Sequence, residues 1–228
     1  MAVALSEVIL LSGNYTAYHV HTELSLLDSA TKFEDYIAKA VELGQTAIAF
    51  TEHGNIYQWV AKKMACDKAG LKYLHGCEVY LTEKLLLTDP RTGEQNKVRD
   101  NYHTILIAKN YAGLQEMNEL ISRSSQDDHF YYKPRITFDE FLGISSNVIK
   151  ISACLASPLN RMSITHPMYE RLLKHYDYLK SKRMTTRSRL PTIATWRKCL
   201  RNTASRSLQA PILIASTNTR LSAERSCS

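Results

Sequence analysis

The sequence predicts an α/β fold in which parallel strands alternate with crossover helices, in an open sheet or a barrel. Two observations predict it. Short apolar runs typical of buried strands alternate with longer segments whose apolar residues recur at helical spacing. Glycines follow the first two helical segments, where a residue in the left-handed conformation commonly ends a helix. With 228 residues, 44% of them hydrophobic, the chain is long enough to bury a full core.

The first elements are a strand, a helix and a second strand. Residues 15–20 are predicted as a strand that leads into a His-Val-His sequence. A helix is predicted to begin at Thr31, because Thr31 and Glu34 have the spacing of a capping box, and to end at Gly44. TAIAFT, residues 46–51, has the short apolar pattern of a buried strand.

A second helix is predicted from about Tyr57 to Ala69, with Gly70 as its end. A strand region follows through residues 77–81. Residues 84–101 are polar and contain proline and glycine, which predicts a long loop.

The last predicted elements complete the alternation. HTILIAK, residues 103–109, is predicted as a strand, and a helix is predicted from Tyr111 to Ile121. Asp139 to Leu142 form a short helical turn, and NVIKIS, residues 147–152, is a further strand. The order of elements favours parallel strands joined by helices.

The positive charge of the chain is concentrated in its last 49 residues. Residues 180–228 contain eleven Lys and Arg and one acid, a net charge of +10, and residues 1–179 carry −3. A basic tail is typical of an arm that binds nucleic acid or an acidic surface. This tail also holds 15 Ser and Thr.

The cysteines and the hydropathy of the chain argue against a disulfide-stabilised protein and against a membrane-spanning one. The five cysteines are scattered and odd in number, which suits a reducing cytoplasm better than a disulfide framework. No apolar run reaches the roughly 20 residues that would span a bilayer. The apolar start contains Glu7 and has no basic leader, so we do not expect a signal peptide.

Potential metal ligands lie at or beside several predicted strand ends: His19, His21, Glu52, His53, Glu78 and Cys154. The carboxyl ends of parallel strands converge on one face of a barrel, so these residues become neighbours. His19 and His21 are two apart on an extended segment, so both imidazoles can face one metal. Asp28 and Glu78 would add carboxylates, and metals held together in this way can activate water for phosphate chemistry.

Each candidate also has an ordinary interpretation. A surface histidine, a solvated acid in a Glu52-His53-Gly54 turn, a strand-edge Glu78 or a buried apolar Cys154 would need no metal. The joint occurrence at several strand ends is what favours a metallohydrolase site. His103 begins its strand, so this argument does not select it.

The order of short motifs resembles the PHP (polymerase and histidinol phosphatase) domain. The motifs are HVHTELSLLD, FTEHGN, GCEVYL, NYHTILIAKN, FYYKPRI and IKISACLA. FYYKPRI and SACLA most resemble the domain at the N-terminus of bacterial-type replicative DNA polymerase III alpha subunits. The resemblance covers about residues 15–179.

The resemblance implies a distorted (β/α)7 barrel, incomplete here, that binds up to three divalent metals, zinc or manganese among them, with fewer in this chain. The implied ligands are His19, His21, Asp28, His53, Glu78, His103 and Cys154. Glu52 stands where the family usually has Asp, and this difference is expected to change the groups that hydrogen-bond to the metal ligands.

The resemblance also implies a function in DNA replication. The implied partners are a DNA 3′ end and the other replicase domains, with no membrane. The domain is a 3′–5′ exonuclease in some relatives and structural in others, and the polymerase carboxylates belong to later domains that are absent here. Two alternatives stay open: a stand-alone PHP phosphatase such as a histidinol-phosphate phosphatase, and a non-catalytic metal-bound scaffold with a basic DNA-binding arm.

The last two ligands of the family, an Asp and a His in a segment like Gly-Thr-Asp-Thr-His-Ser, have no counterpart in residues 180–228. The genetic code offers an explanation. If one nucleotide was lost near the Lys180 codon, permissible codons for Ser205 to Ser216 can encode that segment in the offset frame. The other frame is closed, because Met184 followed by Thr185 forces a TGA stop. We therefore expect a PHP domain at 1–179, an out-of-frame and unfolded tail at 180–228, weak metal affinity and little activity.

Overall fold

A computed structural model describes residues 15–180 and the backbone of Ile212–Leu213. Its helices are α1 (Phe33–Glu42), α2 (Trp59–Lys68), α3 (Tyr111–Ser124), α4 (Phe138–Leu142), α5 (Pro158–Arg161) and α6 (Tyr169–His175). Its strands are β1 (Ala47–Phe50), β2 (Lys72–Thr82), β3 (Leu86–Thr88), β4 (Gln95–Lys97), β5 (Tyr102–Ala108), β6 (Arg135–Thr137), β7 (Val148–Ser152), β8 (Leu179–Lys180) and β9 (Ile212–Leu213). The alternation of strands and helices confirms the predicted α/β class.

The long strand β2 organises a five-stranded sheet, in which β1, β2, β5 and β7 lie in that order and β6 also pairs with β2. On one side, β1 pairs in parallel with the first residues of β2 and β6 pairs in parallel with the last. On the other side, β5 runs antiparallel to β2, and β7 runs antiparallel to β5. Extended segments lengthen the sheet at both edges through parallel bridges from Ala17 to Ile48 and from Ile151 to Tyr178.

The direction of β5 differs from the expected all-parallel arrangement, and so does the segment before it. Residues 84–101, predicted as a loop, contain the antiparallel hairpin of β3 and β4. The chain therefore passes from β2 to β5 without a crossover helix, and a connection of this kind can return antiparallel to the strand it left.

Several element boundaries differ from the sequence-based ones. The predicted capping box at Thr31 is absent, because α1 begins at Phe33 and its N-cap Lys32 makes no side-chain hydrogen bond. A capping box occurs instead at α4, where Thr137 and Glu140 hydrogen-bond reciprocally. Helices α5 and α6 and strand β6 were not predicted, since each is shorter than the windows in which periodicity is visible.

The side chains of β2 alternate between the core and the site. Cys77, Val79 and Leu81 belong to the main apolar cluster, which is packed by residues of α3, α4 and α6. Glu78 and Tyr80 point to the opposite face because successive strand residues alternate. A second cluster packs α1 against β1 through Phe33, Ile37, Ile48 and Phe50.

The predicted boundary between the PHP domain and the tail, at residue 180, coincides with the end of the described residues 15–180. Lys180 belongs to β8, which pairs in parallel with β9. The expectation that the tail is unfolded otherwise concerns positions outside the described residues. Among the described residues, no helix is long and apolar enough to cross a membrane.

Candidate metal centre

Four histidines surround the carboxylate of Glu78, which is 1% exposed. Its Oε1 lies 2.8 Å from Nδ1 of His103. Its Oε2 lies 3.0 Å from Nε2 of both His19 and His21, and 3.4 Å from Nδ1 of His53. Four histidines that are far from Glu78 in the sequence thus converge on its buried carboxylate.

The sheet brings these residues together. Glu78 lies in β2, and His53, three residues after the end of β1, forms a parallel bridge with it. His103, at the start of β5, is the register partner of Tyr80. Because β5 is antiparallel to β2, its first residues lie at the edge where the parallel strands end.

Asp28 extends the cluster towards solvent. Its Oδ2 lies 3.0 Å from Nε2 of His53 and 3.9 Å from Nε2 of His21. The rings of His21 and His53 stack at 4.1 Å between centroids. Three overlapping groups of donor atoms result, each within 4.8 Å: His19, His21 and Glu78; His21, Asp28 and His53; His53, Glu78 and His103.

Burial and hydrogen bonding shift the pKa values of these groups. Burial alone would raise the pKa of Glu78, but hydrogen bonds from His103, His19 and His21 outweigh it and hold that pKa well below its usual range. Burial lowers the pKa values of His19 and His53. His103 is also buried, yet its hydrogen bonds with Cys154 and Glu78 raise its pKa to about 9.

Cys154 reaches the cluster only through His103. It follows the end of β7 and shares a hydrogen bond with His103, which lowers the pKa of its thiol. Its sulfur belongs to none of the three donor groups. The structure therefore brings six of the seven implied ligands into close contact and places Cys154 beside them.

Glu52 faces away from the donor groups. Its carboxylate is 1% exposed and pairs at 2.7 Å with Lys62, which is equally buried. It also accepts hydrogen bonds from the Thr22 hydroxyl at 2.6 Å, the Thr22 amide at 3.1 Å and the Ser25 hydroxyl. Ser25 Oγ in turn lies 3.1 Å from the His53 amide and 3.4 Å from Nδ1 of His21. Glu52 therefore supports the ligands and does not join them.

Sequence reasoning missed Lys62 and Lys180. Lys62 lies on an otherwise ordinary helix, so only its contact with Glu52 identifies it. The ammonium of Lys180 lies 2.7 Å from Nδ1 of His19 and acts as the donor. A metal-bound histidine normally donates its second ring N–H to an acceptor. Lys180 supplies a donor and a positive charge at that position.

The donor atoms of the three groups fit a divalent metal. Imidazole nitrogens and carboxylate oxygens are the usual protein ligands of zinc, and they also suit manganese. Nδ1 of His53 is buried and makes no hydrogen bond. A metal would satisfy this atom, whereas Lys180 opposes binding at His19.

The sequence matches the PHP domain family over residues 17–185. The DNA polymerase III subunit alpha of Borreliella burgdorferi is 36% identical over 150 residues, which are 65% of this chain and 13% of that protein. The same subunit of Aquifex aeolicus is 33% identical over 147 residues, 64% of this chain and 13% of that protein. One solved structure with a similar fold is a two-domain protein from Bacteroides vulgatus that contains a predicted PHP-like metal-dependent phosphoesterase. It superposes with a TM-score of 0.44 at 14% identity, and the superposition covers 73% of this chain and 43% of that one. The chain thus spans about an eighth of the length of the curated relatives it matches.

Proposed function

The chain belongs to the PHP domain family, and on that premise we propose that it is the N-terminal metal-dependent phosphoesterase domain of a DNA polymerase III alpha subunit. The substrate class is a DNA 3′ end, and the partners are the other domains of a replicase in the cytoplasm. The support is the identity to alpha subunits from two organisms over most of the described residues.

The observation that carries a metal site is the buried Glu78 ringed by four histidines. A buried carboxylate with no partner would be protonated, whereas this one is held ionised by its neighbours. We propose as ligands His19, His21, Asp28, His53, Glu78, His103 and Cys154. Zinc or manganese would supply an activated water and neutralise phosphate charge.

The protein residues have separate roles in this proposal. Glu78 contacts all four imidazoles and so sets their spacing. Asp28 is half exposed and lies where substrate would enter. Ser25 and Glu52 hold His21 and the backbone of His53 from behind.

We propose that turnover by this chain is low. Lys180 occupies the outer nitrogen of His19 as a donor, and the described residues contain no counterpart of the family's last Asp and His. These two observations favour a second candidate function, in which the chain is a scaffold that does not catalyse a reaction.

For residues 180–228 we propose out-of-frame coding, supported by the codon argument and the tail composition. DNA sequencing through the Lys180 codon tests it. An offset frame that spells Gly-Thr-Asp-Thr-His-Ser supports the proposal, and a closed or scrambled frame leaves the DNA-binding arm as the explanation.

The function is tested by counting metal and measuring turnover on the same purified chain. Metal content is measured after dialysis against zinc or manganese, and activity is measured on 3′-terminal DNA and on a small phosphomonoester. We expect bound metal with weak DNA 3′ hydrolysis. Preferential hydrolysis of the phosphomonoester would indicate a stand-alone phosphatase, and metal without turnover would indicate a scaffold.

A further inference from the structure

Exposed aromatic and basic side chains gather around the segment FYYKPRI beside the metal centre. Tyr132 is 72% exposed and Phe130 is 44% exposed, and exposed rings close together in the chain are more informative than a single exposed side chain. Lys97 and Arg99, from the end of β4 and the residues after it, lie against the same segment. The exposed rings therefore form a surface with cations at its edge.

This surface is held in place by its neighbours. Tyr132 adopts a left-handed conformation with φ of 59°, which costs energy for a residue other than glycine. The Arg99 guanidinium lies 5.4 Å from its ring centroid, and the Tyr131 ring lies 4.6 Å away. Lys97 donates to the carbonyls of Asp127 at 2.7 Å and Phe130 at 3.0 Å. The rings are thus ordered before any ligand arrives, which lowers the entropy cost of binding.

One ring separates this surface from the metal ligands. Lys133 Nζ lies 3.2 Å from the Tyr80 hydroxyl and 4.4 Å from its ring centroid. Tyr80 stacks on His53 at 5.9 Å with an interplanar angle of 14°. A Cβ added at Gly54, next to His53, would lie 2.5 Å from Pro134 Cγ, so the backbone beside the metal ligands and the FYYKPRI segment approach each other closely.

We propose that Tyr132 and Lys133, with Phe130, Tyr131 and Arg99, bind single-stranded DNA and lead its 3′ end to the metal centre. The proposal rests on the proposed function for the choice of DNA. Stacking of bases on aromatic rings beside cations is how proteins hold single strands without reading sequence. A duplex would not offer its base faces to Tyr132.

Charge makes the smaller contribution to this binding. Asp127 and Asp128 border the surface, and Asp128 is paired with His129 at 2.8 Å. These acids offset part of the field of Lys97 and Arg99. We therefore expect stacking on Tyr132 to matter more than the number of phosphate contacts.

The experiment is fluorescence anisotropy with 5′-labelled oligothymidine of about ten nucleotides, in EDTA at low salt, on the full chain. Tyr132→Ala is expected to weaken binding roughly 5- to 150-fold, the range that corresponds to the loss of one base stack. Lys133→Met should weaken binding and reduce the slope of log K against log salt by about 1. Tyr111→Ala is the matched control, because Tyr111 is also 72% exposed but follows the far end of β5.

Several results would overturn the proposal: no binding by the unmodified chain, equal effects of Tyr132→Ala and Tyr111→Ala, equal affinity for duplex, or tighter binding of oligouridine than of oligothymidine. Because EDTA removes metal, the assay is independent of catalysis. Binding without turnover in manganese would contradict the catalytic function alone, and turnover without Tyr132-dependent binding would contradict this surface alone.

Discussion

The buried pair of Lys62 and Glu52 makes a measurable prediction about how the metal centre is supported. Lys62→Met keeps the length of the side chain that packs over Phe50 but removes the ammonium 2.7 Å from Glu52. The carboxylate keeps three hydrogen bonds from Thr22 and Ser25. Removing one member of a buried pair costs about 3–5 kcal/mol, and these bonds place the expected loss near 3 kcal/mol.

Thermal unfolding monitored by circular dichroism measures this loss. For a chain of this size, about 3 kcal/mol lowers Tm by roughly 6–12 °C. Lys63→Met is the matched control: Lys63 is exposed and pairs with Asp67 at 2.6 Å, and such a pair contributes about 0.5 kcal/mol or less. The double variant Lys62→Met with Glu52→Gln should be more stable than Lys62→Met alone, because it removes the uncompensated charge.

The pH dependence gives a second check. Burial would raise the pKa of Glu52, but Lys62, Ser25 and Thr22 lower it below its ordinary value. A depressed carboxyl pKa stabilises the fold at pH above the ordinary pKa, and this contribution is lost as the pH falls. Without Lys62 the pKa of Glu52 rises, so the loss in Lys62→Met should be largest near neutral pH and shrink in acid. Equal stability of Lys62→Met and Lys63→Met, or a loss independent of pH, would refute the reasoning.

Three further predictions concern the site itself. Gly54→Ala should lower the free energy of unfolding by about 2–4 kcal/mol in chemical denaturation, because Gly54 has φ of 65° and an added Cβ would lie 2.5 Å from Pro134 Cγ. Gly93→Ala is the control: Gly93 has φ of 74° but open space around it, so the expected loss is only about 1–2 kcal/mol. Equal losses in the two variants would contradict this prediction. Lys180→Met should tighten zinc binding several-fold in calorimetric titration, because it removes a cation and a donor from His19; unchanged or weaker binding would show that Lys180 does not oppose the metal. Glu78→Gln should weaken metal binding at least 10- to 100-fold, measured as metal retained after dialysis, and full retention would exclude Glu78 as a ligand.

Local patterns in the sequence were sufficient for the elements with strong periodicity. The helix from Tyr111 and the strands around residues 47–50, 77–81 and 148–152 follow from apolar spacing. The placement of His19, His21 and His53 near one another follows from strand ends that converge. The capping box at Thr31 was wrong, because the N-cap of α1 is Lys32 and Thr31 and Glu34 therefore lie one residue before the positions that a capping box requires.

Other features depend on partners far apart in the chain. Glu52 and Lys62 look like a turn acid and a helix lysine until the fold buries them together. Lys180 contacts His19 across 161 positions, which no local pattern encodes. The FYYKPRI segment carries a recognisable sequence, but only its packing against the hairpin and Tyr80 shows which of its rings are exposed.

The sequence by itself determined the α/β class, the family and the residue types of the metal centre, because hydropathy and ligand chemistry are properties of local stretches. The tertiary structure decided the direction of β5, and this direction explains His103. A residue at the start of a strand joins a site at the ends of its neighbours only when that strand runs antiparallel to them. Strand direction depends on hydrogen bonds between distant segments, so it is absent from any single stretch of sequence.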